Sequence, residues 1–532
     1  MFQSLPVRLQ HSSPAVGWVW VVGLALVLAF GFLGTRNIWD PDEGRYTNVA
    51  LNMLDSGDWL TPRRNDEVAH WTKPPGTYWL IAGSAALLGA STWSVRLPSA
   101  LAFLCCVALA WLTARRLTPG NETAAATVYA TMLLPLGAAQ LVTADFPLAA
   151  AQGMAVYAFV EYRFGNETHS AGWWLLVWAA LALGFMVKGP PALLPMLAML
   201  ALARLAPAPR RAIAPHWHAL GAVLFVSLVA PWFLYVGLRH PGLLEYFVGA
   251  EVIDRSLSNR FDRHGEWYGW AQIYVPTLLL GSLPWTRELG RMLRAAPLAV
   301  RRWARADQRL LEAGPLFLTL WIGLPLLVFV LARSRLPLYL LPLFLPLAIA
   351  IAGSRTARGA GMPRVRWLAL WAAGVLLLRL AAAAYPTHKD AAEWAAAIRQ
   401  RSATPVKEVV FVDDMARYGL RLHLGAEVEK ISLSGGPREP FAPAYDETLG
   451  EELNELGGEQ GVVFVAKARD FSPIEAAIRA HGLGVTPLGP TYRDRVIFTV
   501  GAGDAAVSGG GGMAGSEARK AALSPASHTS AS

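Results

Sequence analysis

Repeated apolar runs are the feature that most restricts how this chain can fold. A helix needs ~20 apolar residues to cross the hydrocarbon core of a bilayer, and such runs recur between residues 16 and 384. Only 16% of the 532 residues are charged, whereas soluble proteins carry about 25%. We therefore predict an all-α polytopic membrane protein. About eleven spans are expected, near residues 16–35, 96–114, 122–140, 144–162, 172–187, 189–206, 217–237, 270–287, 312–332, 336–353 and 364–384.

The segment 76–91 is apolar but short, and we expect it to be an interfacial helix in the first outer loop. If it does not cross and the N-terminus is cytoplasmic, Arg115, Arg116 and the later arginine clusters between spans lie in the cytoplasm. This is the distribution that the positive-inside rule requires. The net charge of +9 then reflects topology and does not indicate nucleic-acid binding.

The loops and the C-terminal part suggest three regions. A transmembrane domain is expected over residues 1–384, with long outer loops at 36–95 and 238–269. Alternating apolar segments between residues 385 and 500 predict a small α/β domain on the outer face. Residues 501–532 are rich in Gly, Ala and Ser, which is typical of a disordered tail. The two cysteines, Cys105 and Cys106, are adjacent in one apolar run and exclude a framework of disulfides.

Under this topology the unusual ionisable residues gather on the outer side. Charges at membrane depth are costly, so their convergence favours a functional cavity. The candidates are Asp42, Glu43, Arg45, Tyr46, Lys73, Asp145, Lys188, Arg255, Arg260, His264, Arg335 and Tyr339.

Each candidate also has a purely structural interpretation. Arg335 could extend to lipid headgroups, Lys188 could stabilise a helix end, and His264 could be an ordinary loop residue. Asp42 and Glu43 are typical of an acidic first helical turn. For Asp40 we favour a helix N-cap.

An outer cavity with carboxylates and cations suits one kind of chemistry. Cations bind phosphate oxygens, and a carboxylate can accept a proton from an attacking hydroxyl. Nucleotide-activated donors are confined to the cytoplasm, so the activated group would arrive on a lipid phosphate. Direct displacement at the anomeric carbon of a polyprenyl-phosphate sugar would invert that carbon, and the cations would stabilise the leaving phosphate.

Six short motifs occur in a specific order along the chain: "PDEGRY", "MLDSGDWLTP", "TKPPGTYW", "MVKGP", "GSLPW" and "SRLPLYLLP". On these motifs the chain resembles the GT-C lipid-to-lipid glycosyltransferases typified by 4-amino-4-deoxy-L-arabinose lipid A transferase, which are related to protein O-mannosyltransferases. The resemblance covers residues 36–350 and, more weakly, the C-terminal part.

The resemblance implies roles for individual residues. The family's catalytic Asp corresponds to Asp42, with Glu43 beside it, and its phosphate-binding Lys corresponds to Lys73. Arg255 corresponds to the family's loop arginine, with Arg260 as a rival. The family's cavity Asp and Tyr correspond to Asp145 and Tyr339. We add to the cavity and substrate candidates Arg45, Tyr46, Lys188, His264 and Arg335, which the predicted topology places on the outer side.

The sequence departs from the family at two positions that have been linked to a bound metal. Family members often have Glu immediately before the Lys and His after the loop Glu, and both positions have been linked to bound zinc. Here they are Thr72 and Val252, so no metal site is expected, although a divalent cation stays open. His264 and Glu266 are possible substitutes.

The sequence therefore predicts an inverting glycosyltransferase of the bacterial inner membrane, with its active site and C-terminal domain on the periplasmic side. Its donor would be a sugar on a polyprenyl phosphate, with an aminosugar such as 4-amino-4-deoxy-L-arabinose as one candidate. Its acceptor would be lipid A or another envelope glycan. The alternatives are a polyprenyl-phosphate-dependent protein O-glycosyltransferase and a non-enzymatic lipid-carrier transporter. The absence of an internal repeat argues modestly against the transporter.

Overall fold

The computed structural model describes residues 14–165, 170–208, 215–254, 264–435, 439–456 and 460–502. Most of these residues are helical. The helices between residues 14 and 254 are Pro14–Phe30, Asp42–Ser56, Gly76–Leu88, Thr92–Leu117, Glu122–Thr131, Leu133–Ala138, Asp145–Phe164, Ser170–Lys188, Pro190–Leu193, Leu194–Leu205, Pro215–Arg239, Leu243–Tyr246 and the π-helix Phe247–Asp254.

A second series of helices follows residue 268. They are Gly269–Gly281, Thr286–Arg302, Ala306–Leu311, Ala313–Leu331, Pro337–Leu343, Phe344–Ala357, Val365–Ala384, Ala391–Arg401, Leu420–Leu424, Leu449–Glu455, Ala468–Asp470 and Phe471–Ala480.

Six helical segments in the described ranges are long and apolar enough to cross a membrane. They are Thr92–Leu117, Ser170–Lys188, His216–Arg239, Ala313–Leu331, Pro337–Ala357 and Val365–Ala384. Three shorter apolar helices accompany them, one of which, Gly76–Leu88, has 13 residues and coincides with the predicted interfacial helix. The chain is thus a multi-helix membrane protein, and the total of eleven spans stays a prediction.

The membrane part packs around one large apolar core. The helices Asp145–Phe164 and Ser170–Lys188 contact each other extensively, and the second of them packs against Pro215–Arg239. Gly76 lies so close to the backbone of Met186 that a side chain there would collide with it. This contact holds the start of the Gly76–Leu88 helix against the end of Ser170–Lys188, which brings the first outer loop to the mouth of the helix bundle.

The C-terminal region, residues 391–502, contains a five-stranded mixed sheet. Its strands are β1 (Glu408–Val412), β2 (Glu427–Ile431), β3 (Val462–Lys467), β4 (Leu483–Pro487) and β5 (Arg495–Ala502), in the order β2-β1-β3-β5-β4. β1 runs parallel to β2 and β3, and β5 runs antiparallel to β3 and β4. Helices cover both faces, and buried Val and Phe side chains of the strands form two apolar cores.

The C-terminal region is attached directly to the first outer loop. The Ala391 N–H donates to the Ile38 carbonyl at 3.0 Å, and the Gly419 N–H donates to Asp40 Oδ1 at 3.0 Å. Our interpretation of Asp40 as an N-cap is therefore wrong: Pro41 occupies the cap position of Asp42–Ser56, and Asp40 accepts its hydrogen bond from the C-terminal region. Gly44 lies against both partners, and any side chain there would collide with them.

Candidate active site

An apolar cavity of about 670 Å³ lies among the helices of the membrane part. We call it the inner cavity. Its walls are mainly aromatic and aliphatic side chains, including Phe185, Phe225, Phe233 and Phe247. Its polar lining includes four of the residues predicted from the sequence, and the complete charged and phenolic set is Lys73, Asp145, Lys188, Glu251 and Tyr339.

Lys188 and Asp145 form a direct ion pair in the wall of the inner cavity. The ammonium of Lys188 contacts Asp145 Oδ1, and each side chain is only 11% exposed. The same ammonium lies 4.7 Å from the ring centroid of Tyr339, within the range of a cation–π interaction. Three predicted residues from distant parts of the sequence thus meet at one point.

Lys73 forms the second lysine–carboxylate pair of the inner cavity. Its Nζ lies 3.4 Å from Glu251 Oε2 and donates to the Thr72 carbonyl at 2.7 Å. Glu251 also accepts a hydrogen bond from the Tyr246 hydroxyl at 3.3 Å. The backbone before Gly76–Leu88 is restricted by Pro74 and Pro75, which helps to fix the position of Lys73.

Asp42 stands at the first turn of its helix with its side chain 74% exposed. Arg45 Nη2 donates to Asp42 Oδ1 at 2.8 Å, one helical turn away. The neighbouring Tyr46 packs against the apolar cluster of Leu148 and Val187 beside the inner cavity. The Asp42 carboxylate is therefore accessible to solvent, and its helix packs beside the inner cavity through Tyr46.

Glu43 has the opposite environment, although it is the next residue. Its carboxylate contacts Arg36 at 2.7 Å and Arg96 at 3.2 Å, and it accepts from the N–H groups of Trp39 and Val142 at 3.2 Å each. Burial alone would raise the pKa of Glu43, but the charges and hydrogen bonds of Arg96 and Arg36 outweigh it and hold the pKa below its usual value. Glu43 is thus fully occupied in fixing the loop that carries Asp42.

The Arg335 side chain contacts the backbone of His264. The buried Arg335 guanidinium donates to the carbonyl of His264, to that of Glu266 at 2.7 Å and to that of Val330 at 3.1 Å. The His264 side chain is exposed, and its backbone has φ of 55°. Arg335 therefore holds the end of the second outer loop. Arg255 and Arg260 lie outside the described residues.

The residues around Lys73 do not fit a zinc site. Thr72 offers a hydroxyl, which lies 2.8 Å from His70 Nε2, and zinc sites are built from Cys, His and carboxylate ligands. Glu251 is engaged by Lys73 and Tyr246. Within the described ranges, the group of three or more metal-type ligands that lie close together is Glu408, Glu429 and Glu452 of the C-terminal region, which lines neither cavity.

A second, polar cavity of about 450 Å³ lies between the first outer loop and the C-terminal region. We call it the outer cavity. Its first-loop side includes Pro41 and Arg45, which flank Asp42, together with His70. Thr72 lines both cavities, so they are direct neighbours. Burial and then the charges of Arg45, Arg64 and Lys73 lower the pKa of His70 well below its ordinary value, so its imidazole is neutral at physiological pH.

Sequence reasoning missed the partners that hold these residues in place. Arg36 and Arg96, which flank Glu43, were not among the candidates, although both are cations near the predicted end of an apolar run. Arg64 was missed as well; it pairs with Asp446 and donates to the Pro443 carbonyl at 3.2 Å. Only the charge of Arg64 in a long outer loop could have drawn attention to it.

Comparison with known proteins supports the same fold. A protein family described as dolichyl-phosphate-mannose-protein mannosyltransferase matches residues 72–235. An undecaprenyl phosphate-alpha-4-amino-4-deoxy-L-arabinose arabinosyl transferase of Pseudomonas paraeruginosa is 31% identical over 377 residues, which is 68% of this chain and 64% of the relative. The enzyme of the same name from Pectobacterium carotovorum is 32% identical over 360 residues, or 66% of this chain and 62% of the relative. The chain thus spans somewhat less than two thirds of the length of these relatives.

Solved structures show the same architecture. ArnT from Cupriavidus metallidurans in the apo state superposes with a TM-score of 0.71 at 21% identity, covering 91% of this chain and 98% of that one. The form bound to undecaprenyl phosphate gives a TM-score of 0.70 at 22% identity, with the same coverage. At this level of identity the match establishes the fold.

Proposed function

We propose that this chain, which belongs to the GT-C glycosyltransferases and is similar to the aminoarabinosyl transferases among them, transfers a sugar from a polyprenyl phosphate to lipid A or another envelope glycan. The observation that carries this proposal is the inner cavity, whose walls are apolar and whose polar lining holds two lysine–carboxylate pairs. A polyprenyl chain suits such walls, and a phosphate suits the two ammonium groups. The names of the relatives and the undecaprenyl phosphate bound to the similar structure support this donor class. The donor sugar is 4-amino-4-deoxy-L-arabinose in this proposal.

In the proposed reaction each of these groups has a defined role. The donor phosphate competes with Glu251 and Asp145 for Lys73 and Lys188, with Arg255 and Arg260 as further phosphate ligands. Asp42 accepts the proton of the acceptor hydroxyl, whose oxygen forms a bond to the anomeric carbon. The bond from that carbon to the phosphate oxygen breaks, and the lysines stabilise the charge on the leaving phosphate. The carbon is inverted because the attack is direct.

The remaining candidates orient the reacting groups or fix the loops, and they take no part in making or breaking bonds. Arg45 orients the carboxylate of Asp42, and Glu43 anchors the loop through Arg36 and Arg96. Tyr339 holds the ammonium of Lys188 beside Asp145, and Arg335 fixes the loop at His264. Because the residues at the usual ligand positions do not fit zinc, no step of this mechanism requires a metal.

The membrane arrangement is part of the proposal. We place the protein in the bacterial inner membrane with eleven spans in residues 1–384, an α/β domain over residues 385–500 and a tail over residues 501–532. The active site and the α/β domain lie on the periplasmic side. The direct hydrogen bonds between the C-terminal region and the first outer loop support the placement of both on one side.

Mass spectrometry of lipid A tests this function. In cells that lack the protein, a pentosamine-sized increment on lipid A should disappear, and the wild-type gene should restore it. Purified protein supplied with the lipid-linked sugar and lipid A should release free polyprenyl phosphate in proportion to product. Release without any acceptor requirement, or transport of the intact donor with no release, would contradict a transferase.

A protein acceptor is the second candidate, because the matching family over residues 72–235 is described as a protein mannosyltransferase. Unchanged lipid A together with loss of sugar from periplasmic proteins would favour it over the first proposal.

A further inference from the structure

We propose that the outer cavity binds the phosphorylated sugar headgroup of the acceptor and that Lys430 of the C-terminal region is a phosphate ligand there. This inference rests on the proposed function and adds a role for the C-terminal region in acceptor recognition. The first argument is position. The outer cavity touches the inner cavity at Thr72, and Arg45, the ion-pair partner of Asp42, lies in its wall. A molecule held there would contact Pro41 and Arg45, which lie on either side of Asp42 in the sequence.

The second argument is charge. The outer cavity is lined by the cationic side chains of Arg45, Arg64 and Lys430. Lys430 Nζ donates to the carbonyl oxygen of Ala444 at 2.9 Å and lies 4.2 Å from the ring centroid of Tyr445; no carboxylate of the described residues forms an ion pair with it. Arg64 is paired with Asp446, yet its buried Nε finds no hydrogen-bond acceptor among the described residues.

Arg45 and Arg64 each have a carboxylate partner, Asp42 and Asp446 respectively. The two carboxylates that line the cavity accept hydrogen bonds from other groups of the C-terminal region. Asp414 accepts two hydrogen bonds from Arg495, at 2.8 and 3.1 Å. Asp413 Oδ2 accepts from the Leu433 N–H at 3.2 Å. Burial and the charge of Arg64 lower the pKa of Lys430, and the charges of Asp446, Asp413 and Asp414 oppose them only in part. A further anion beside the ammonium would offset the lowering.

The third argument is the mixture of surfaces. Aromatic rings of Tyr418, Phe441 and Tyr445 line the outer cavity together with the cations. Sites that hold polar ligands commonly combine apolar or aromatic walls with a few placed polar groups. Cations on one wall and aromatic faces on another suit a sugar that carries a phosphate. The apolar inner cavity, in contrast, suits a lipid chain.

Steady-state kinetics with the purified full-length protein tests this assignment, with both substrates varied in turn. Lys430→Gln should raise the KM for lipid A about 10-fold, since one charge-assisted hydrogen bond is lost. The KM for the polyprenyl-phosphate sugar should stay within 2-fold. Lys430→Arg, which keeps the charge, should restore most of the affinity. The matched control is Lys407→Gln, an exposed lysine of the same region that lines neither cavity.

Three results would overturn the inference. They are an unchanged KM for lipid A in Lys430→Gln, an increase in the KM for the donor instead, and an equal effect in Lys407→Gln. In all three the wild-type protein still transfers sugar, so the proposed function stands. Wild-type protein that forms no product from these two substrates refutes the proposed function itself. Elution of each variant as the same monodisperse peak in detergent excludes misfolding as the cause.

Discussion

The inner cavity and the loop around Glu43 use buried charge in opposite ways. Among the residues that the structure describes, each lysine of the cavity pairs with a carboxylate, and both pairs line a space that can admit an anion. Around Glu43, one carboxylate receives two arginines and two backbone N–H groups, so every oxygen is occupied. The number of partners and the access to a cavity therefore distinguish a charged group that can exchange ligands from one that fixes the fold. Asp42 adjoins the saturated cluster but faces outward.

The strongest test of this contrast is Asp42→Asn. An amide cannot accept the proton of the acceptor, so turnover should fall by about 10³-fold, within the range for loss of a general base. The unfolding temperature should stay within about 1 °C, because the side chain is 74% exposed and surface substitutions seldom change stability. Initial rates of product formation and unfolding followed by tryptophan fluorescence measure the two quantities. Near-normal turnover would remove Asp42 from the mechanism.

Lys73→Gln tests whether a lysine of the inner cavity can exchange its carboxylate partner for a phosphate. Loss of one cation at the leaving phosphate should lower kcat/KM by about 10²-fold, which is the scale of one electrostatic contact in the transition state. Glu251→Gln, which removes the partner but keeps Lys73, should reduce kcat/KM by less than 10-fold. If both variants lost activity equally, the pair would serve the fold and not the phosphate.

Glu43→Gln tests the buried cluster in which Arg36 and Arg96 surround the Glu43 carboxylate. Removal of one partner from a buried ion pair leaves uncompensated charge and should lower the free energy of unfolding by about 3 kcal/mol. The measurement is the unfolding temperature in detergent, compared with that of Asp42→Asn. An unfolding temperature equal to that of the wild type would mean that Arg36 and Arg96 find other partners.

Asp40→Asn tests the contact between the first outer loop and the C-terminal region. Burial raises the pKa of Asp40 to about 7, against the opposing hydrogen bond from Gly419 and the charge of Arg417. An unfolded Asp ionises near pH ~4. Between pH ~4 and ~7 the folded protein keeps a proton that the unfolded chain has lost, so the contribution of Asp40 to stability falls as pH rises.

The wild-type unfolding temperature, taken relative to that of Asp40→Asn, should therefore decrease from pH 4 to pH 7 and level off above it. The difference between the two proteins is the useful quantity, because Glu429 and Glu452 also have raised pKa values. A difference that does not change with pH would show that Asp40 stays ionised.

The sequence was most informative where the pattern is local. Apolar runs located the long helices. The strands β1 and β3 lie in the region of alternating apolar segments between residues 385 and 500, and β5 begins there and extends to Ala502. The run "ETAAATVYATMLLPLGA" was expected to form one span, but it divides at Met132 into Glu122–Thr131 and Leu133–Ala138, and Pro135 lies in the first turn of the second helix. Such a break depends on packing around a proline as well as on hydrophobicity.

The sequence predicted which residues belong to the site but not which of them pair with each other. Lys73, Asp145, Lys188 and Tyr339 were named from their motifs, and the structure brings them to one cavity. The assignment of Lys188 to Asp145 could not be predicted, because 43 residues separate them. The same holds for Glu43 and Arg96, which are 53 residues apart, and for Arg64 and Asp446, which are 382 apart. Long-range pairing depends on how the helices pack, and a single sequence carries no direct signal of it.

The position of Thr72, which lines both the inner and the outer cavity, has a kinetic consequence. If each substrate enters its own cavity and the two meet beside Thr72, neither has to pass through the cavity of the other. Binding should then follow no compulsory order, and an excess of acceptor should not slow the reaction by blocking the donor. Initial-rate plots for the two substrates should intersect, without the downward curvature at high concentration that a shared entrance produces.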